Sequence, residues 1–190
     1  MKRICTSTLI LCAGLASIAW AQQQKGGKPL AGYTQIVVEP YSVENSKHTK
    51  DFPAGEETHL QLRAIAALRA SDIFEKVVDG NPKSSLEPPP SGPSSKEGKS
   101  TVILASTIIR FDKGSSAARF ATWPLPVGVS KAKAHFVFRD AANNQQVLSF
   151  EKEAKFQATV TGGISTEEDQ MSHIRGDLAE ALVKEIKQNR

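Results

Sequence analysis

Residues 130–160 read SKAKAHFVFRDAANNQQVLSFEKEAKFQATV. Over the first eleven positions Ala132, Ala134, Phe136 and Phe138 fall on one side, and Lys131, Lys133, His135 and Arg139 on the other. A two-residue period is that of a β-strand with one dry and one wet face. AANNQQ, centred on Asn143 and Asn144, supplies a turn, because asparagine tolerates the backbone conformations that tight turns need. Leu148, Phe150, Ala154, Phe156 and Ala158 then resume the alternation. The stretch predicts an antiparallel hairpin with one face for a core and one for water.

Upstream, STVILASTIIRFD (100–112) is rich in β-branched residues and predicts the strongest strand in the chain. TQIVVEPY (34–41) packs Ile36, Val37 and Val38 together, which suits a central strand ended by Pro40. GEETHLQLRAIAALRASD (55–72) changes to helical spacing, with Leu62, Ile65, Ala66, Leu68 and Ile73 broadly on one side. Glu56 and Glu57 suit the positive end of that helix. IFEKVVD (73–79) predicts a short strand through Phe74, Val77 and Val78.

Downstream, Gly162 and Gly163 break the sheet, and Ser165 with Glu168 fits a capping box at a helix start. The helix runs to about Gln188, with Met171, Ile174, Leu178, Ala181, Leu182 and Ile186 on its apolar face. Residues 80–99 differ in kind: five prolines, five serines and three glycines fill 13 of 20 positions, and Leu86 is the only large apolar residue. Such a segment buries too little surface to offset its ordering entropy, so it reads as a disordered loop rather than a docking peptide. The predicted fold class is α+β: a mixed, largely antiparallel sheet with two amphipathic helices packed on one face.

The chain opens MKRICTSTLILCAGLASIAWA, with Lys2 and Arg3, an apolar core from Leu9 to Ile18, and Ala19-Trp20-Ala21. Those three parts predict a signal peptide over 1–21. The apolar run falls short of the about 20 residues that a membrane span needs. A lipoprotein signal at Cys12 is the alternative, but Leu11 stands where a small residue is required. Residues 22–33 read as a flexible leader and 34–190 as one domain carrying the loop at 80–99. Both cysteines, Cys5 and Cys12, leave with the signal, so the remaining 169 residues (190 less 21) must be held by their core. Losing Lys2 and Arg3 lowers the formal charge from +4 to +2, too little to argue for nucleic acid.

No reactive constellation stands out. His48, His59, His135 and His173 lack metal-ligand spacing, so neither metal nor cofactor is expected. No serine sits in a nucleophile elbow, and the Gly-Gly pairs lack the lysine and spacing of a phosphate loop. Glu151 and Glu153 share a strand face, but with Lys152 and Lys155 close by they read as a solvated charged surface. The basic stripe of Lys131, Lys133, His135 and Arg139, with Arg110 and Arg119 adjacent, reads first as the solvent side of the hairpin, since alternation requires a polar face; the alternative reading is a surface for an anionic ligand or acidic partner. Trp123, with Phe120, reads as an aromatic cap at a corner, and Trp123 beside Arg119 as a partner anchor if exposed.

TIIRFDKGSSAAR (107–119), a corner ending at Gly128 and FVFRDAANNQQVL (136–148) together resemble the bacterial domain of unknown function family numbered 4410. The matching positions are Phe111-Asp112-Lys113-Gly114, Gly114-Ser115 with Ala118-Arg119, the corner from Trp123 to Gly128, and Asp140-Ala141. The likeness covers about 34–188. WPLPVGV is proline-rich where the family is glycine-rich, and AANNQQ replaces a Thr-Gly turn. ALRASDIFEKVV (67–78) looks like part of the TolB-type amino-terminal domain, at the level of fold only. The resemblance implies a small exported α/β protein and names no reaction.

The sequence therefore predicts a non-catalytic exported domain, periplasmic or secreted, that binds an envelope protein or anionic ligand or serves envelope assembly. A hydrolase of an envelope polymer and a strand-donating subunit are the alternatives. No integral membrane span is expected in the mature chain, and its oligomeric state is left open.

Overall fold

The computed structural model describes residues 28–81, 100–114, 130–156 and 167–190. The signal segment, the first half of the leader, most of the 80–99 loop, Arg119, Phe120, the Trp123 corner and Ser165 lie outside them.

Among the described residues, six strands and two helices follow one another as β1 (Tyr33–Val38), β2 (Ser42–Val43), α1 (Glu56–Ala70), β3 (Lys76–Asp79), β4 (Ser100–Asp112), β5 (Ser130–Asp140), β6 (Gln146–Phe156) and α2 (Glu167–Gln188). The sheet order is β3-β1-β4-β5-β6, with β2 also on β4. β4, β5 and β6 form an antiparallel meander, while β1, β2 and β3 join in parallel. The predicted fold class holds, and β1 is central as its two-sided apolar character required. Pro40 interrupts the path of β1, and the chain rejoins β4 two residues later as β2.

Both helices lie on the face built from Ile36, Val38, Val102, Leu104, Ile108, Phe136 and Phe138, which form one core with Leu60, Leu68, Ile174, Leu178, Leu182 and Ile186. The period-2 alternation on β5 is followed without exception as far as Phe138. Asp140 closes the β5–β6 turn, accepting from the backbone amides of Ala142 and Asn143, and Asn144 takes a φ of 58°. Gly55 precedes α1 at φ 90°, which favours glycine. At Gly80 an added Cβ would stand 2.9 Å from the Val38 carbonyl oxygen, so the residue after β3 needs a hydrogen there.

Two expectations fail. Leu62 and Ala66 do not face the core; Leu62 is 52% exposed, and α1 buries Leu60, Gln61 and Ala64 beside the expected Ile65 and Leu68. Gln61 explains the rotation. Its amide donates to the Val38 carbonyl (3.0 Å) and to the Asp79 carboxylate (2.8 Å), so a polar residue belongs on the inward face. Leu30, assigned to the leader, is fully buried, and its amide donates to the Asn189 carbonyl at 2.9 Å. The packed chain therefore begins before β1.

The helices are tied by charge as well as by packing. Glu56 is buried at the start of α1, and the Arg175 guanidinium of α2 reaches it at 2.9 Å and also pairs with Glu168. Burial works against the charge on Arg175, but Glu168 and Glu56 outweigh it and hold the group above its ordinary pKa.

Candidate functional site

The opposite face of the sheet carries neither helix. Strand register arranges its side chains in rows across the strands. Val78, Val37, Ile103 and Arg139 form one row, and Ala105, Val137 and Ser149 the next. Ser42, Thr107, His135 and Glu151 follow. The last two rows are Arg110, Lys133, Glu153 and then Asp112, Lys131, Lys155. The face thus grades from β-branched apolar residues at one end, through hydroxyls and an imidazole, to alternating charges at the other. A bulge between Ile108 and Arg110 brings Arg110 back onto it.

Five of the seven predicted site residues meet here: Arg110, Lys131, Lys133 and His135 cluster, and Arg139 stands apart beside Ile103. Arg119 and Trp123 lie outside the described residues. The stripe is not a bare cationic strip. The Lys133 ammonium donates to Glu151 and holds that carboxylate below its usual range, against the opposing pull of desolvation. Lys155 sits 3.0 Å from Glu153 and lowers it likewise, with Lys131 and Arg110 adding to the attraction. The imidazole Nε2 of His135 shares a hydrogen bond with the Ser149 hydroxyl at 2.8 Å, and Ser42 with Thr107 at 2.8 Å.

Lys152 departs from its expected place near the two glutamates. It lies on the helix side, 2.5 Å from Glu185 and with its ammonium 5.7 Å from the centre of the Phe150 ring. The partners of the basic stripe were half legible: Glu151 and Glu153 could be placed on one strand face, but the pairing of Glu151 with Lys133 and the closeness of Glu153 to Arg110 depend on register.

A second concavity, a shallow groove of about 600 Å³, runs between the helices past Ala67, His173, Gly176, Asp177 and Lys187. Among the described residues no group of three His, Cys, Asp or Glu side chains is placed to hold a metal ion, and no helix is long and apolar enough to cross a membrane.

No family model matches the chain, and no curated protein matches it. The expected likenesses to family 4410 and to the TolB-type domain are therefore not confirmed. Similar solved structures include a Xanthomonas campestris protein of the DUF330 family model, at 10% identity and a TM-score of 0.48, covering 82% of this chain and 85% of that one. A PelC dodecamer from Paraburkholderia phytofirmans matches at 14% identity and 0.45, over 80% of this chain and 89% of that one. A Neisseria meningitidis lipoprotein matches at 14% and 0.44, over 82% and 99%. Likenesses at this level leave the function to be argued from the residues.

Proposed function

We propose that this is a non-catalytic exported domain of the bacterial envelope, and that it works as a binding or assembly module through the sheet face opposite α1 and α2, which carries no helix among the described residues. The observation that carries the reading is the one-sided architecture. Both helices cover one face, while the other presents Val37, Ile103 and Val137 beside a charged end. Interfaces combine apolar and polar contact area, and this face offers an apolar end and a charged end. Its carboxylates are held ionised by lysines, which suits them as contact groups and not as proton donors near neutral pH. The tripartite segment at 1–21 supports export, and the basic residues Arg110, Lys131 and Lys133 favour a partner with acidic groups.

Ala105 lies in the middle of the face, so Ala105→Arg sets a long side chain across it without entering the core. The full-length chain, expressed with its own amino-terminal segment, should recover a partner from envelope extract. Ala105→Arg should lose that partner while keeping its melting temperature, and Leu62→Arg on the helix side should retain it. Equal recovery by the wild type and Ala105→Arg would overturn the reading.

A further inference from the structure

The two charged rows have a property that a merely solvated surface does not need. Along Arg110, Lys133, Glu153 the signs run plus, plus, minus; along Asp112, Lys131, Lys155 they run minus, plus, plus. β4 and β6 therefore carry opposite signs at the same height on either side of β5. A twofold rotation about an axis lying on this face along β5 superposes β4 of one copy on β6 of another. Arg110 then meets Glu153 of the second copy, Asp112 meets Lys155 of the second copy, and symmetry doubles both contacts. The same rotation stacks Val137 on Val137 of the second copy and brings Ala105 over Ser149 of the second copy, which supplies a small apolar centre.

We infer that the face opposite α1 and α2 pairs with the same face of a second copy, forming a twofold sheet-on-sheet dimer. This rests on the reading that the face is the contact surface, and it commits the partner to be this chain. Aligned packing of two twisted sheets is an established way to bury such faces, and a twofold contact closes on itself. Lys131, Lys133 and Arg139 on the axis oppose the pairing; Lys133 is already matched by Glu151 and Lys131 lies near Glu153, while Arg139 stands at the far end of the strand from the complementary rows. Three strands about 4.8 Å apart and about 36 Å long offer roughly 500 Å² per copy. That lies at the low end for a specific interface, so the dimer should be weak, on the order of micromolar.

The test uses R110E and E153R. In a homodimer of R110E, an acid faces Glu153 twice; in a homodimer of E153R, a base faces Arg110 twice. Mixed one to one, the two variants meet only through opposite signs. Sedimentation of the full-length chain between about 1 and about 500 µM should show the wild type dimerising, each variant alone weakened about tenfold or more, and the mixture returned to within about threefold of wild type. Because each variant folds by itself before mixing, recovery reports contact between chains and not repair within one. A wild type monomeric throughout overturns the inference, as does a mixture no better than its components. If the wild type stays monomeric while Ala105→Arg still loses an envelope partner, the contact surface stands and the second copy falls. If charge mixing succeeds while Ala105→Arg keeps its envelope partner, the dimer stands and the partner-binding reading falls.

Discussion

Tyr33 and Asp140 lie 107 positions apart in sequence, yet the phenol donates to the carboxylate at 2.7 Å across the end of β4. Each group shifts the other. Burial, then the hydrogen bond to Asp140, pushes the Tyr33 hydroxyl up to about 12 from 10.0. Asp140 is lowered chiefly by that same bond, with the turn amides of Ala142 and Asn143 helping against desolvation. A raised tyrosine contributes stability that is complete below its unfolded value and disappears as pH rises through about 12. A lowered aspartate contributes stability that is complete above its unfolded value of 3.8 and disappears as pH falls through its depressed folded value. Tyr33→Phe should therefore cost about 1 kcal/mol on a plateau from roughly pH 5 to pH 10, since the pair is only half-buried. The difference from wild type should close at both ends. Urea titrations at a series of pH values would show it, and a difference that stays constant down to pH 2 would mean that the bond to the ionised carboxylate contributes nothing.

At the scale of elements, α2 is the clearer helix and α1 the less legible one. Met171, Ile174, Leu178, Leu182 and Ile186 were readable from spacing because the opposite side of α2 is charged, and all five are buried. Leu178→Ala should accordingly cost about 2–5 kcal/mol, read as a lowered denaturation midpoint at constant slope. A midpoint unchanged within error would remove Leu178 from the core. In α1, Leu60 with Ala64 and Leu62 with Ala66 offer two equally apolar stripes, and periodicity alone does not choose between them. The choice came from Gln61, whose amide finds its acceptors at the ends of β1 and β3, a tertiary condition invisible along the chain. The bounds of β4 and β5 were legible to the residue, β4 from its β-branched run and β5 from its alternation. β6 is described as far as Phe156, and Ala158 of the predicted pattern lies outside the described residues. Alternation sets Lys152 opposite Ala134 on the inward side, where its ammonium meets Glu185. A charge pointing to the covered side of an edge strand is a known obstacle to strand addition, which weighs against the strand-donating alternative.

For the molecule as a whole, what matters is that segments far apart in sequence share one core. Leu30 near the amino-terminal end of the described chain and Ile186 near its carboxy-terminal end both lie in that core with no exposure. The Leu30 amide is bonded to Asn189, and Arg190 stacks 5.1 Å from the Phe74 ring just before β3. The parallel half of the sheet, the antiparallel meander and both helices are thus closed by contacts between the two ends, a connection that no local pattern encodes. Such an arrangement should unfold as a unit, because loosening either end exposes the same apolar cluster. Leu30→Ala removes a fully buried side chain and should cost about 2–5 kcal/mol despite lying outside every helix and strand. It should lower the midpoints followed by far-UV dichroism and by tyrosine fluorescence equally, since Tyr33 and Tyr41 report on the parallel half while α2 dominates the helical signal. If the amino-terminal segment were only draped on a separately stable fold, Leu30→Ala would leave the dichroism midpoint in place. Two midpoints that part company in the variant would mean that the ends close a subdomain and not the whole core.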